Sequence, residues 1–216
     1  MLFNELLDPA VCVREIELSS CSLMLFPEEL AAITGAVENR QREFAGGRAC
    51  ARQALEALGF PSMAIPAGLD RAPIWPVGVV GSISHSLTRG VAAVARQTDG
   101  FISIGVDLEE STPLDEMFAI DLCTPFERDW LKQQPSGQRG LLLKAMFSAK
   151  ECAYKCQYPL SKTLLEYSAI RIELDAEVNS FSAHFEIDAD PFKAGSRLNG
   201  QIVCAGGHFA SAIAMR

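Results

Sequence analysis

A chain of 216 residues, 49% of them hydrophobic, is long enough to bury the core of one large domain or of two small halves. Its formal net charge of −8 at pH 7 argues against a nucleic-acid binder, which would display a basic surface. No apolar run is long enough to span a membrane and Met1-Leu2-Phe3-Asn4-Glu5 does not open a secretory signal, so the cytoplasm is the expected compartment.

Residues 11–18 alternate as a strand does. Pro27-Glu28-Glu29 suits a helix start, because proline is tolerated in the first turn and acids favour the positive end of the helix dipole. The helical pattern continues to residue 58, with Gly35 and Gly46-Gly47 as expected divisions. Gly47 would open a separate helix carrying Arg48 and Arg52, and Gly59 would stop it. Pro61, Pro66, Pro73 and Pro76 predict an extended loop. Residues 79–83 and 90–95 read as a hairpin, and 101–109 as a further strand. Short helices are expected near 114–120 and 125–133, and a second strong helix at 141–157. Residues 166–174, 181–188 and 201–214 read as strands, the last folding back at Gly206-Gly207. The expected class is therefore α+β, two similarly built halves that each follow a helix with antiparallel strands, meeting near residue 104. No internal sequence repeat accompanies this likeness.

Seven cysteines, odd in number and without a Cys-x-x-Cys pair, are expected to be free thiols. Cys152 and Cys156 could meet on one helical turn, but no histidine close in sequence completes a zinc set.

The chemistry concentrates in two stretches. In Gly105-Val106-Asp107-Leu108-Glu109, apolar residues alternate with acids, so a strand would send Asp107 and Glu109 to the same side. In Phe147-Ser148-Ala149-Lys150-Glu151-Cys152-Ala153-Tyr154-Lys155, a helix puts Phe147, Glu151 and Lys155 on one face. Bringing the two faces together would gather three carboxylates and an ammonium. Hard oxygen ligands of that kind suit magnesium, with substrate phosphates completing its shell. An edge strand with charges facing water also explains the acid pair, and an exposed Glu–Lys pair one turn apart is common. Gly81-Ser82-Ile83-Ser84-His85-Ser86 could converge on a phosphate or be an ordinary polar turn. A serine hydrolase is disfavoured, since neighbours on a strand point apart and no GxSxG elbow is present. Arg48, expected near a helix start, could grip a phosphate, whereas Arg42 and Arg52 read as a solvated basic face. Trp75 could pack or flank a base.

In order and spacing these pieces resemble the 4′-phosphopantetheinyl transferases, particularly the type serving siderophore and other nonribosomal peptide synthetases. The resemblance runs from Arg40 to Lys155 through Arg71-Ala72-Pro73-Ile74-Trp75-Pro76 and the motifs above. Phe147 stands where another branch has tryptophan, which favours the siderophore-type branch. Cys152 stands where serine or alanine is usual. The resemblance implies a pseudo-two-fold single chain, monomeric, with residues 1–104 binding the nucleotide phosphates and 105–216 carrying the magnesium and catalytic motifs. Coenzyme A would lie between the halves as donor, and a serine of an acyl or peptidyl carrier protein would be the acceptor, with adenosine 3′,5′-bisphosphate released. Asp107, Glu109 and Glu151 would hold magnesium, Glu151 would also take the serine proton, and Lys155 would stabilise the leaving side. Arg48 with Arg40 would meet the 3′-phosphate, Arg71 and Pro73 would border the nucleotide, and Ser84 and His85 would touch its phosphates. A helix after the Gly105 strand and the region near Lys155 and Lys162 would meet the carrier protein. Two alternatives use the same residues: a magnesium-dependent phosphoesterase, and a non-catalytic module binding coenzyme A or the carrier.

Overall fold

A computed structural model describes residues 2, 3, 5–19, 24–175 and 179–216. In the first half, β1 (Cys12–Glu17), α1 (Pro27–Leu30), α2 (Glu38–Ala57), β2 (Val79–His85) and β3 (Arg89–Arg96) form a three-stranded antiparallel sheet, order β1-β3-β2, under one long helix. Cys50, Ala51, Ala54 and Leu55 of α2 bury their face on Val79, Ala92 and Val94. In the second, β4 (Ser103–Glu110) is followed by α3 (Ala119–Leu122), α4 (Pro125–Lys132) and α5 (Ser136–Ser161). The chain then forms β5 (Ile170–Asp175), β6 (Ser180–Phe185), β7 (Arg197–Ala205) and β8 (His208–Met215), giving an antiparallel sheet of order β4-β8-β7-β6-β5. Ala149, Cys152, Ala153 and Cys156 of α5 pack on Ile170, Ile172, Phe181 and Ile213. Each half thus lays a helix on an antiparallel sheet, the expected α+β class.

The halves share a core, in which Val13, Val91, Ala93 and Ala95 meet Ile104, Val106, Leu108, Ala210 and Ala212. They also share polar bonds. β2 and β4 are both edge strands, and an unpaired edge must satisfy its N–H groups elsewhere. Val106 and Leu108 donate theirs to Ser82 Oγ at 3.1 Å and Ser84 Oγ at 3.3 Å. The serines of the Gly81–Ser86 motif therefore fasten the acid-bearing strand in place.

Several boundaries differ from the sequence expectation. Gly46-Gly47 opens no helix, because α2 runs through it unbroken. These glycines permit close approach to the sheet: a Cβ on Gly46 would lie 2.1 Å from Leu18 Cδ2 and one on Gly47 2.6 Å from Ile83 Cγ2. The second strong helix begins earlier than expected and ends later, carrying Pro159 near its C-terminus. Proline costs an intrahelical bond, but α5 is held by packing along its length. Residues 201–214 are two strands that start at Arg197, turning at the left-handed pair Gly206-Gly207. Cys12, Cys123, Cys152, Cys156 and Cys204 are free thiols; Cys21 lies outside the described residues.

Candidate active site

The two-residue period of β4 sends Ile104, Val106 and Leu108 into the shared core and leaves Asp107 and Glu109 on the opposite face, against α5. Asp107 is 2% exposed, which removes the reading of a solvated edge charge. Lys155 Nζ donates to Asp107 Oδ1 at 2.7 Å and to Ser84 Oγ at 3.0 Å. Ser84 Oγ in turn donates to Asp107 Oδ1 at 3.0 Å. Burial opposes the Lys155 charge, but Asp107 and Glu151 outweigh it and raise its pKa. Asp107 Oδ2 is buried with no hydrogen-bond partner. A buried carboxylate oxygen left bare is costly unless another charge meets it.

The other two acids flank this pair without joining it. Glu109 Oε2 accepts from Lys144 Nζ at 3.0 Å. Burial, then the nearby Asp107 charge, raises its pKa above the ordinary carboxylate value. Glu151 Oε1 accepts from the Tyr167 hydroxyl at 2.7 Å. Burial and the Glu151 carboxylate push that phenol well above its ordinary pKa, so it stays a donor. Lys155 bonds to Asp107, not to Glu151 one turn before it, so the common helical pair is not what forms. Among the described residues no group of three or more His, Cys, Asp or Glu side chains is drawn together to hold a metal ion. The expected gathering of three carboxylates therefore differs from what is seen: Asp107 sits at the centre, with Glu109 and Glu151 each held by a separate donor.

A second cluster lies at the end of β2. Arg40 Nη1 donates to His85 Nε2 at 2.6 Å and lies 3.3 Å from Glu43 Oε2, which is 3.6 Å from His85 Nδ1. An arginine can only donate, so Nε2 accepts and the imidazole is neutral with its proton on Nδ1, facing Glu43. Burial lowers the His85 pKa accordingly.

Three further residues are placed otherwise than expected or stand apart. Arg48 is in the middle of α2, not near a helix start, and is 5% exposed. Its Nε donates to the Ile65 carbonyl at 2.6 Å, its guanidinium lies 4.2 Å from the centre of the Phe44 ring, and burial lowers its pKa to about 10. A phosphate would meet only the terminal nitrogens. Arg52 is not part of a solvated face: it is buried and donates to both oxygens of Glu29 at 2.9 Å. Arg42 does lie on an exposed face, paired with Glu38. Arg71 adopts φ 65° in a turn of the proline-rich loop, which Ala67 and Pro73 close by bridging. That turn reaches α5 through Asp70, which accepts from the Tyr158 hydroxyl at 3.1 Å.

Sequence reasoning missed Glu43, Lys144 and Tyr167. Glu43 is three residues from Arg40 on one helix face, and Lys144 is two turns before Glu151, so helical spacing could have drawn attention to both. Tyr167 follows α5 after a loop and carries no such signal.

Known proteins are similar to this chain across both halves. The profile of the 4′-phosphopantetheinyl transferase N-terminal domain matches residues 28–95, and that of the 4′-phosphopantetheinyl transferase superfamily matches residues 103–205. The 4′-phosphopantetheinyl transferase Svp of Streptomyces mobaraensis is 39% identical over 181 residues, covering 82% of this chain and 72% of its own. The 4′-phosphopantetheinyl transferase Npt of Nocardia iowensis is 40% identical over 168 residues, covering 74% of each chain. Enterobactin synthase component D of Escherichia coli (strain K12) is 32% identical over 173 residues, covering 76% of this chain and 80% of its own. With matches of this extent in both halves, the chain belongs to the 4′-phosphopantetheinyl transferase superfamily and is a transferase enzyme of that kind.

Proposed function

We propose that the chain transfers the 4′-phosphopantetheine group of coenzyme A to a serine of an acyl or peptidyl carrier protein and releases adenosine 3′,5′-bisphosphate. The observation that carries this reading is Asp107, a carboxylate at the seam of the halves whose Oδ2 is bare while Oδ1 is held by Lys155 and Ser84. An all-carboxylate donor set of Asp107, Glu109 and Glu151 suits magnesium, and the orphaned oxygen is a position a cation would satisfy. Glu151 would offer the cation its other oxygen while Tyr167 keeps the first, and Glu109 would have to share or yield its bond to Lys144 to join it. Bound there, the ion would neutralise charge on the diphosphate.

The residues of the chain do the rest. Glu151 takes the proton of the attacking serine, directly or through water. The serine oxygen bonds to the β-phosphorus as the bond to the bridging oxygen breaks. Lys155, kept charged by its acidic neighbours, stabilises the departing oxygen. Arg48 and Arg40 meet the 3′-phosphate, Ser84 and His85 contact the phosphates, and Arg71 and Pro73 border the nucleotide. In this reading residues 1–104 bind the donor, 105–216 run the chemistry, and one chain acts as a monomer. Met117, Phe118, Ile120 and Phe126 are exposed on the segment beyond β4 and offer an apolar docking surface for the carrier. No helix of the described residues is long and apolar enough to cross a membrane. The free thiols suit a reducing compartment, so we assign the cytoplasm.

Incubation with coenzyme A, magnesium and an apo carrier protein tests the reading by mass spectrometry. A gain of about 340 Da on the carrier, the mass of the transferred group, supports it. Cleaved coenzyme A with an unmodified carrier would instead indicate a phosphoesterase, and intact coenzyme A would indicate binding alone.

A further inference from the structure

Tyr167 has no part in the transfer just described, yet it touches Glu151. Beyond α5 the chain makes one short turn, Tyr167–Ala169, that brings this ring back over the helix. Its position is fixed from several sides. Phe147, one turn before Glu151, meets the ring at a centroid separation of 5.8 Å. Lys150 Nζ donates to the Tyr167 carbonyl at 2.8 Å and is itself anchored by Glu127 at 2.9 Å. The hydroxyl then donates to Glu151 Oε1 at 2.7 Å. A glutamate side chain is otherwise free to turn among rotamers, and ordering it on ligand binding opposes that binding.

We infer that Tyr167 is a positioning residue, holding the Glu151 carboxylate in one orientation so that its second oxygen is ready for a divalent cation. Hydrogen bonds to a ligating carboxylate tune metal affinity from outside the coordination shell, and their loss weakens binding. The role rests on the assignment of Asp107, Glu109 and Glu151 as the cation site, and on the clamp formed by Phe147 and Lys150.

Mn2+ titrated into the full chain saturated with coenzyme A, followed by loss of the free-ion electron paramagnetic resonance signal, reads the site without turnover. Tyr167→Phe keeps the ring against Phe147 and removes only the hydroxyl. We expect Mn2+ affinity to fall about tenfold, with the KM for coenzyme A and the thermal midpoint as in the wild type. Unchanged Mn2+ affinity in Tyr167→Phe, alongside weakened binding in Asp107→Asn, overturns the role of Tyr167 and leaves the cation site standing. Equal Mn2+ binding by the wild type and Asp107→Asn removes the cation site itself, and the role of Tyr167 with it.

Discussion

The two halves contain the same clasp, and only one of them has the proposed reacting groups beside it. In the first, Pro27 starts α1 and Glu29 is fully buried, accepting from the Phe26 N–H at 2.9 Å, from Arg52 of α2, and from the Ile65 N–H at 2.9 Å. In the second, Pro125 starts α4 and Glu127 is fully buried, accepting from the Thr124 N–H at 2.6 Å, from Lys150 of α5, and from the Ile172 N–H at 2.6 Å. Each clasp ties a short proline-led helix, the long helix and the chain beyond into one unit. The residue after Arg52 is the exposed Gln53, whereas the residue after Lys150 is Glu151, beside Asp107 and Lys155. An internal likeness invisible in the sequence thus supplies a scaffold twice, and the halves differ in the residue that follows the clasp's cation.

If the clasps are equivalent scaffolds, breaking either should cost the most stability of any change here. Removing one partner of a buried ion pair leaves an uncompensated charge, so Glu29→Ala and Glu127→Ala should each lose about 3–5 kcal/mol in urea unfolding. A large loss in only one variant would end the equivalence. Glycine substitutions sharpen the contrast at smaller cost. A Cβ on Gly105 would lie 2.1 Å from the Cys152 carbonyl oxygen, whereas one on Gly46 would meet the end of the Leu18 side chain, which can move. Gly105→Ala should cost about 1–3 kcal/mol and lower transfer by parting β4 from α5, while Gly46→Ala keeps transfer near the wild-type rate. Equal activity in the two would mean that the β4–α5 seam does not set the rate.

The smallest effect belongs to the first half. The His85 pKa is lowered from 6.5 by burial, so the unfolded chain takes up the proton more readily than the folded one. Its contribution to stability is present above 6.5 and is lost as the pH falls through the lowered value. His85→Asn should flatten the pH dependence of the unfolding midpoint below 6.5, and an unaltered slope would place the titrating group elsewhere.

What was legible in the sequence was local. Alternation along β4 put Asp107 and Glu109 on one face because a strand allows nothing else. Helical spacing put Glu151 and Lys155 on one side of α5. The rest depended on partners distant in sequence. Lys150 lies within the recognised motif, but its ammonium points away from the site to Glu127, and no nearby residue signals that. Arg52 reads as a surface charge until Glu29 is seen against it. Gly46-Gly47 reads as a helix break because the strand it must approach, marked by Gly90 opposite, is not adjacent in the chain. The donor on Glu151 was hidden for the same reason, since Tyr167 meets it only in the folded chain, and helical spacing marks Lys144 without showing that Glu109 is its partner.

The most direct test of the site is the transfer rate of Asp107→Asn, measured by the mass gain of an apo carrier protein with coenzyme A and magnesium. Asparagine keeps the shape and can still meet Ser84, but lacks the charge held against Lys155. We expect the rate to fall at least about a hundredfold while circular dichroism shows an unchanged fold. A folded variant that modifies the carrier at the wild-type rate would contradict the assignment of the β4–α5 seam as the reacting centre.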